Sequence, residues 1–203
     1  MGAHDAQFTD LHRRSIRLRD YDYSQGGAYF VTICAHHRAC LFGDVIGDGV
    51  ELNTLGCIVE DEWLRTPAIR PQVTLDAYVI MPNHFHAVLF IDGDRAHPVR
   101  AYCNTPLHKN TPADHVPSLR SPSQTIGAIV RGFKGAATAK INRRRLTPGD
   151  PVWQRNYYEH IIRGDDDLGR IRAYIALNPR HWALDRENPA AHKKRLPNGS
   201  LMD

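Results

Sequence analysis

The sequence predicts an α+β fold, an antiparallel sheet with helices packed on one or both faces, on three observations. Short runs rich in β-branched and aromatic residues recur along the chain. Stretches with apolar residues at helical spacing lie between them. The two kinds follow one another as strand, helix, strand, strand, helix, strand, helix, which is the ferredoxin-like pattern in a single domain.

Taken in order, residues 1–27 form a basic, turn-rich lead-in carrying Arg13, Arg14, Arg17 and Arg19, an arm suited to phosphates or to plain solvation. Ala28–Ala35 (AYFVTICA) reads as a strand. Leu41–Ile46 and Val50–Asn53 flank Gly47-Asp48-Gly49, a β-hairpin signal. Gly56–Leu64 reads as a helix with Ile58, Val59, Glu62 and Trp63 on a partly amphipathic face, ended by Pro67. Val73–Met81 is a strand that runs through Pro82-Asn83 into a further strand, His84–Ile91.

The next segment, 93–122, holds five prolines and three histidines (His97, His108, His115) without periodicity. It is too long for an ordinary connection and reads as an insertion or a substrate-facing loop. From Ser123 to Arg145 helical spacing returns, with Ile126, Ile129, Val130, Phe133 and Ala137 on one face. Val152–Ile162 reads as the last strand. Asp165, Asp166 and Asp167 then open a helix, where carboxylates favour the macrodipole. Leu168, Ile171 and Ile175 are its seam and Pro179 its stop. Residues 183–203 read as a polar tail. There is no internal repeat.

At 203 residues the chain can fill one core. No run of 18 apolar residues exists, and the N-terminus lacks the apolar stretch of a signal peptide, so the cytoplasm is the expected compartment. The four cysteines (34, 40, 57 and 103) have no C-x-x-C spacing and suggest neither a thiolate metal site nor a disulfide framework. The net charge of +4 says less than its distribution. Arg120, Arg131, Lys134, Lys140, Arg143, Arg144 and Arg145 fall in a stretch with no acidic residue. Such a stripe is the footprint of a phosphate-backbone binder.

The chemistry concentrates at Met81–Asp92, MPNHFHAVLFID. On a strand His84 and His86 point the same way, roughly 6.6 Å apart, so two imidazoles can converge on one metal ion or one phosphate. Phe85, Ala87, Leu89 and Ile91 take the opposite face. In the last helix Tyr174 and Asn178 stand one turn apart on one face, beside the apolar seam. A helix packed beside the histidine strand can aim both at the space above His84 and His86. By spacing alone, a tyrosine at a core edge above a C-terminal asparagine is the favoured reading.

Three stretches carry a resemblance: MPNHFH (81–86), WQRNYYEHIIR (153–163) and YIALNP (174–179). They resemble the signatures of the single-tyrosine HUH transposases, and most closely those of the REP-associated tyrosine transposases. The similarity extends to RLRDYDY (17–23) and YFVTIC (29–34), and so spans most of residues 15 to 182. It implies that His84 and His86 ligate a metal, that Tyr174 is the nucleophile, and that Asn178 completes the metal site. Many insertion-sequence relatives carry glutamine at that last position, one methylene longer.

What the resemblance implies is single-stranded DNA cleavage and strand transfer beside hairpins of the REP kind. A bound Mg²⁺ or Mn²⁺ would offset charge at the phosphate, with nitrogen ligands favouring Mn²⁺ and cellular abundance Mg²⁺. Tyr174 would form a 5′-phosphotyrosine ester that conserves the bond energy, so no nucleotide cofactor is needed. At an ordinary pKa near 10 only about one phenol in a thousand is ionised at pH 7, so a cation or base has to assist. Hairpin DNA is the expected partner; neither a membrane nor a particular oligomeric state is implied. Arg131, Lys134, Lys140 and Arg143–Arg145, with Arg13, Arg14 and Arg17, are the backbone-contact candidates. Tyr157, Tyr158 or Trp153 could stack a base, with core packing the better reading for Trp153. Two other readings stay open at this level: a hairpin-binding module that does not cut, and a metal-dependent phosphodiesterase that uses water.

Overall fold

The computed structural model describes residues 26–92 and 125–193. Four strands form one antiparallel sheet in the order β4-β5-β1-β6: β1 (Gly27–Cys34), β4 (Val73–Met81), β5 (His84–Ile91) and β6 (Tyr158–Ile162). A two-stranded hairpin, β2 (Gly43–Ile46) with β3 (Gly49–Leu52), stands apart from it. Two helices, α1 (Thr54–Leu64) and α3 (Ile126–Arg145), cover one face; α4 (Asp165–His181) covers the other. Without the hairpin and α4, the path β1-α1-β4-β5-α3-β6 is the ferredoxin-like arrangement expected from the sequence.

The central strands are apolar on both sides because both sides are covered. On the α1/α3 face, Phe85, Ala87, Leu89 and Ile91 join Tyr29, Val31 and Ile33. Trp63 of α1 closes that core, with ring centroids 5.0 Å from Phe85 and 5.3 Å from Phe133 of α3. On the other face Phe30, Val88 and Ile162 meet Ile171 and Ile175 of α4. The histidines therefore lie on the α4 face, as alternation requires. A second tie fixes α4: Arg172 binds the buried Asp76 of β4 at 2.6 Å.

Some element ends differ from expectation. The first helix starts at Thr54, because the Asn53 side chain accepts from the backbone N–H groups of Leu55 and Gly56 at 2.8 and 3.1 Å. Pro67 opens a separate short helix, α2 (Thr66–Ile69). The last strand is shorter than 152–162. Trp153 makes only an isolated bridge to Ala35, and Lys134 draws the carbonyls of Gln154 and Arg155 towards α3. In α4, Pro179 lies inside the helix, which ends two residues later. Residues 183–193 are no loose tail: Glu187 and Asn188 are buried, and α5 (Pro189–Lys193) follows. The arm with Arg13, Arg14 and Arg17, the 93–122 segment with its three histidines, Arg120 and Cys103 lie outside the described residues. Among the described residues no helix is long and apolar enough to cross a membrane.

The hairpin meets α1 at Gly56, where a Cβ would lie 2.0 Å from the Phe42 carbonyl oxygen. At Gly169, in α4, a Cβ would meet nothing within 4 Å. Gly56→Ala should therefore destabilise the fold by about 1–3 kcal/mol. Gly169→Ala should stabilise it by about 0.5–1 kcal/mol through helix propensity. Urea unfolding of the two variants checks the opposite signs.

Candidate active site

The site begins where the Pro82-Asn83 turn delivers the chain into β5. Asn83 is 1% exposed, and its amide nitrogen donates to the carbonyls of Arg38 and Glu187 at 3.0 and 2.6 Å. With the nitrogen so engaged, Oδ1 is the atom 2.9 Å from His84 Nδ1, and it can only accept. His84 is thus held in the tautomer with the proton on Nδ1 and a lone pair on Nε2. The antiparallel register sets Thr32 of β1 opposite His86, and Thr32 Oγ1 lies 2.8 Å from His86 Nδ1. Both rings are anchored through Nδ1, leaving both Nε2 atoms for chemistry, an arrangement typical of metal-ligating imidazoles.

The two histidine rings lie 4.6 Å apart, and Phe30 stacks on His86 at 5.5 Å. From α4, the Tyr174 hydroxyl reaches to 3.3 Å from His86 Nε2. Its ring is 37% exposed, on the rim of the sheet–helix interface, with Phe30 edge-on at 6.1 Å. Asn178, one turn on, is 3% exposed. The structure thus brings His84, His86, Tyr174 and Asn178 together on one face. The buried seam residues Ile171 and Ile175 set the direction of Tyr174 and Asn178.

Two buried polar atoms here have no hydrogen-bond partner: His84 Nε2 and Asn178 Oδ1. Leaving such atoms unmatched costs about 1–3 kcal/mol each. A divalent cation would satisfy both. Among the described residues no three His, Cys, Asp or Glu side chains are grouped to hold a metal. Beside the two imidazoles, the amide oxygen of Asn178 is a donor of another type that could serve as a third ligand. The donor set of two imidazoles and one carboxamide fits Mg²⁺ or Mn²⁺ with positions left for water and phosphate.

The electrostatics agree. Burial holds His84 below its ordinary pKa of 6.5, against the pull of the Asp185 and Glu187 carboxylates. Burial, then the neighbouring His84, holds His86 well below it. Both rings are neutral, as ligation requires. Burial, followed by the Asp185 carboxylate, pushes the Tyr174 phenol up to about 12. Only about one phenol in a hundred thousand would then ionise at pH 7, which makes cationic assistance more necessary than for a free tyrosine.

Several contributors carry no signal of their own in the sequence. Thr32 and Asn83 lie inside the quoted motifs, yet their roles come from the β1–β5 register and the Pro82-Asn83 turn. Arg38, which binds Glu187 at 2.8 Å, and Asp185 come from loops distant in sequence. Of the competing tyrosines, Tyr157 packs on the opposite face and its hydroxyl donates to Glu159 at 2.6 Å, whereas Tyr158 lies on the histidine face, across Thr32 from His86 and edge-on to Phe30 at 6.3 Å. Trp153 is core, between Phe42 and Phe133. The basic set divides. Arg131 and Arg143 are exposed on α3; Lys140 pairs with the buried Glu62, and Lys134 is engaged with the 154–155 backbone. Arg143, Arg144 and Arg145 also fill the last turn of α3, where cations complement the helix dipole.

The ferredoxin-like domain with a buried His-x-His strand under a helical tyrosine is the arrangement that the sequence resemblance to the REP-associated tyrosine transposases implies. Comparison with known proteins is consistent with that class. The chain is 44% identical over 175 residues to an uncharacterized protein of Haemophilus influenzae, covering 86% of this chain and 92% of that one, and the two belong to one family. A second Haemophilus influenzae protein, named "Putative REP-associated tyrosine transposase", is 26% identical over 161 residues, 78% of this chain and 73% of its own. The solved structure of a REP-associated tyrosine transposase bound to a REP hairpin matches with a TM-score of 0.51 at 18% identity. That match covers 80% of this chain and 72% of the other, and it shows a shared fold. No family model matches the chain.

The histidine environment has a consequence for stability. Above pH 6.5 both rings are neutral, folded or unfolded. Below it the unfolded chain binds protons that the folded chain refuses, so stability is full above 6.5 and declines as pH falls below it. Replacing both histidines with glutamine should flatten urea-derived stability between about pH 7.5 and 5 relative to the wild type. An equally steep decline in the double variant would place the effect elsewhere.

Proposed function

We propose that this chain cuts and rejoins single-stranded DNA beside REP-like hairpins through a 5′-phosphotyrosine on Tyr174, acting in the cytoplasm. His84, His86 and Asn178 would hold a divalent Mg²⁺ or Mn²⁺. The observation that carries the reading is the Tyr174 hydroxyl 3.3 Å from His86 Nε2, beside the unpartnered His84 Nε2 and Asn178 Oδ1. The likeness to a transposase solved with a REP hairpin supports the choice of DNA.

When bound, the cation would neutralise the phosphate oxygens and favour the ionised phenol. The chain's own residues do the rest. Tyr174 Oη attacks phosphorus, the P–O3′ bond breaks, and the departing 3′-oxygen gains the proton that the phenol loses. The products are a 5′-phosphotyrosyl ester and a free 3′-hydroxyl. Attack by a second 3′-hydroxyl reverses the step and joins a new strand. Asn83 and Thr32 keep both imidazoles in register, and α4 keeps the phenol beside them.

Labelled hairpin DNA with a single-stranded flank, incubated with Mg²⁺ or Mn²⁺ and run on a denaturing gel, tests this. Wild type should give a covalent protein–DNA band that EDTA abolishes. Tyr174→Phe and the His84→Ala/His86→Ala pair should give none, while Tyr157→Phe and Tyr158→Phe keep it. Hairpin binding without any covalent band in the wild type would favour the non-cutting module. Cleavage without an adduct would favour the water-dependent phosphodiesterase.

A further inference from the structure

On the sheet face away from the histidines, α3 and the segment from 146 to 157 enclose an open groove of about 1050 Å³. Its α3 wall follows helical spacing: Arg131, Lys134, Thr138 and Asn142 line it one turn after another, with Arg143 beside Asn142. Opposite stand Pro148, Pro151 and Arg155, with Val152 and Trp153 buried at the base. The Lys134 ammonium donates to the Gln154 and Arg155 carbonyls at 2.6 and 3.2 Å and ties the two walls together. Arg131, Arg143 and Arg155 are exposed on the rim. The groove's acid, Asp150, has its carboxylate 3.9 Å from Arg145 and its carbonyl accepting from Asn142 at 2.7 Å.

We propose that this groove is a second, non-catalytic site that takes a short run of single-stranded DNA, phosphates to the arginine rim and bases to the apolar floor. Alternation of anionic backbone and apolar bases matches a cationic rim beside the exposed apolar side chains of Leu146, Pro148 and Pro151, with Val152 and Trp153 buried beneath them. The volume lies at the upper limit for a pocket built for one small molecule, which leaves room for several nucleotides. The groove also adjoins the catalytic end of the sheet. Gln154 N–H donates to the Cys34 carbonyl at 2.9 Å, and Cys34 faces His84 across the β1–β5 pairing. This role for the groove rests on the DNA-processing reading above.

Fluorescence anisotropy of the full chain with a labelled dT10 oligonucleotide tests it independently of cleavage. Arg143→Glu combined with Arg155→Glu should weaken binding at least tenfold. It should also flatten the slope of log K against log salt by about 1.4, two contacts at about 0.7 each. Gly135→Leu, at a groove position where a Cβ meets nothing within 4 Å, should weaken binding at least fivefold by filling the space. Arg144→Glu, off the groove on the same helix, should have a smaller effect than Arg143→Glu. Equal losses for Arg143→Glu and Arg144→Glu, or wild-type affinity in Gly135→Leu, would overturn the groove. Intact dT10 binding with no Tyr174 adduct would instead overturn the cleavage reading and leave the groove standing.

Discussion

The Asn83 carboxamide is the constraint on which the catalytic face depends. It is buried, its nitrogen donates to two carbonyls from segments 45 and 104 residues away, and its oxygen is left to His84. A buried network in which each group has its place admits one arrangement, because any other strands polar atoms out of reach of water. The same residue therefore couples three things: the turn into β5, the docking of the 183–193 segment, and the tautomer of His84. The Arg38–Glu187 ion pair reinforces that junction, and it places carboxylate charge where it opposes the desolvation of His84.

The phenol's placement is a packing result. Tyr174 meets the buried rings of Phe30 and His86, and Ile171 and Ile175 on one side and the Asp76–Arg172 pair on another hold the helix that carries it. The cost shows in the phenol's pKa of about 12, since an interface dry enough to orient the ring also disfavours its ionised form. On the proposed reading, a divalent cation held by His84, His86 and Asn178 would resolve that conflict: it would satisfy His84 Nε2 and Asn178 Oδ1 and supply charge beside the phenol.

Much of this was legible in the sequence. The 3.6-residue period of 171, 175 and 178 with 174 beside it, and the two-residue period of 84 and 86, are local facts that survive folding. The Val73–Met81 strand matches to the residue for the same reason: its pattern is continuous and its stops are Pro82 and the 70–72 turn. What escaped depends on contacts between distant segments. Thr32 meets His86 only through strand register. The segment from 183 on reads as a polar tail until Glu187 and Asn188 are seen buried, with the Glu187 carbonyl bound by Asn83. The run Val152–Ile162 carries the strand-like residues Trp153, Tyr157, Tyr158, Ile161 and Ile162, yet Lys134 of α3 holds the 154–155 carbonyls and the strand begins only at Tyr158. The basic helix shows the same limit, since a count of charges cannot tell Lys140, spent on Glu62, from Arg143, free on the groove's rim.

The central claim is that the strand is passed through one particular oxygen. Tryptic digestion of the isolated protein–DNA adduct, followed by nuclease trimming and mass spectrometry, addresses it directly. The account predicts a nucleotide 5′-phosphate on the peptide spanning Ala173–Arg180, carried by Tyr174. The same mass increment on a peptide containing Tyr157 or Tyr158, with 173–180 recovered unmodified, would contradict it.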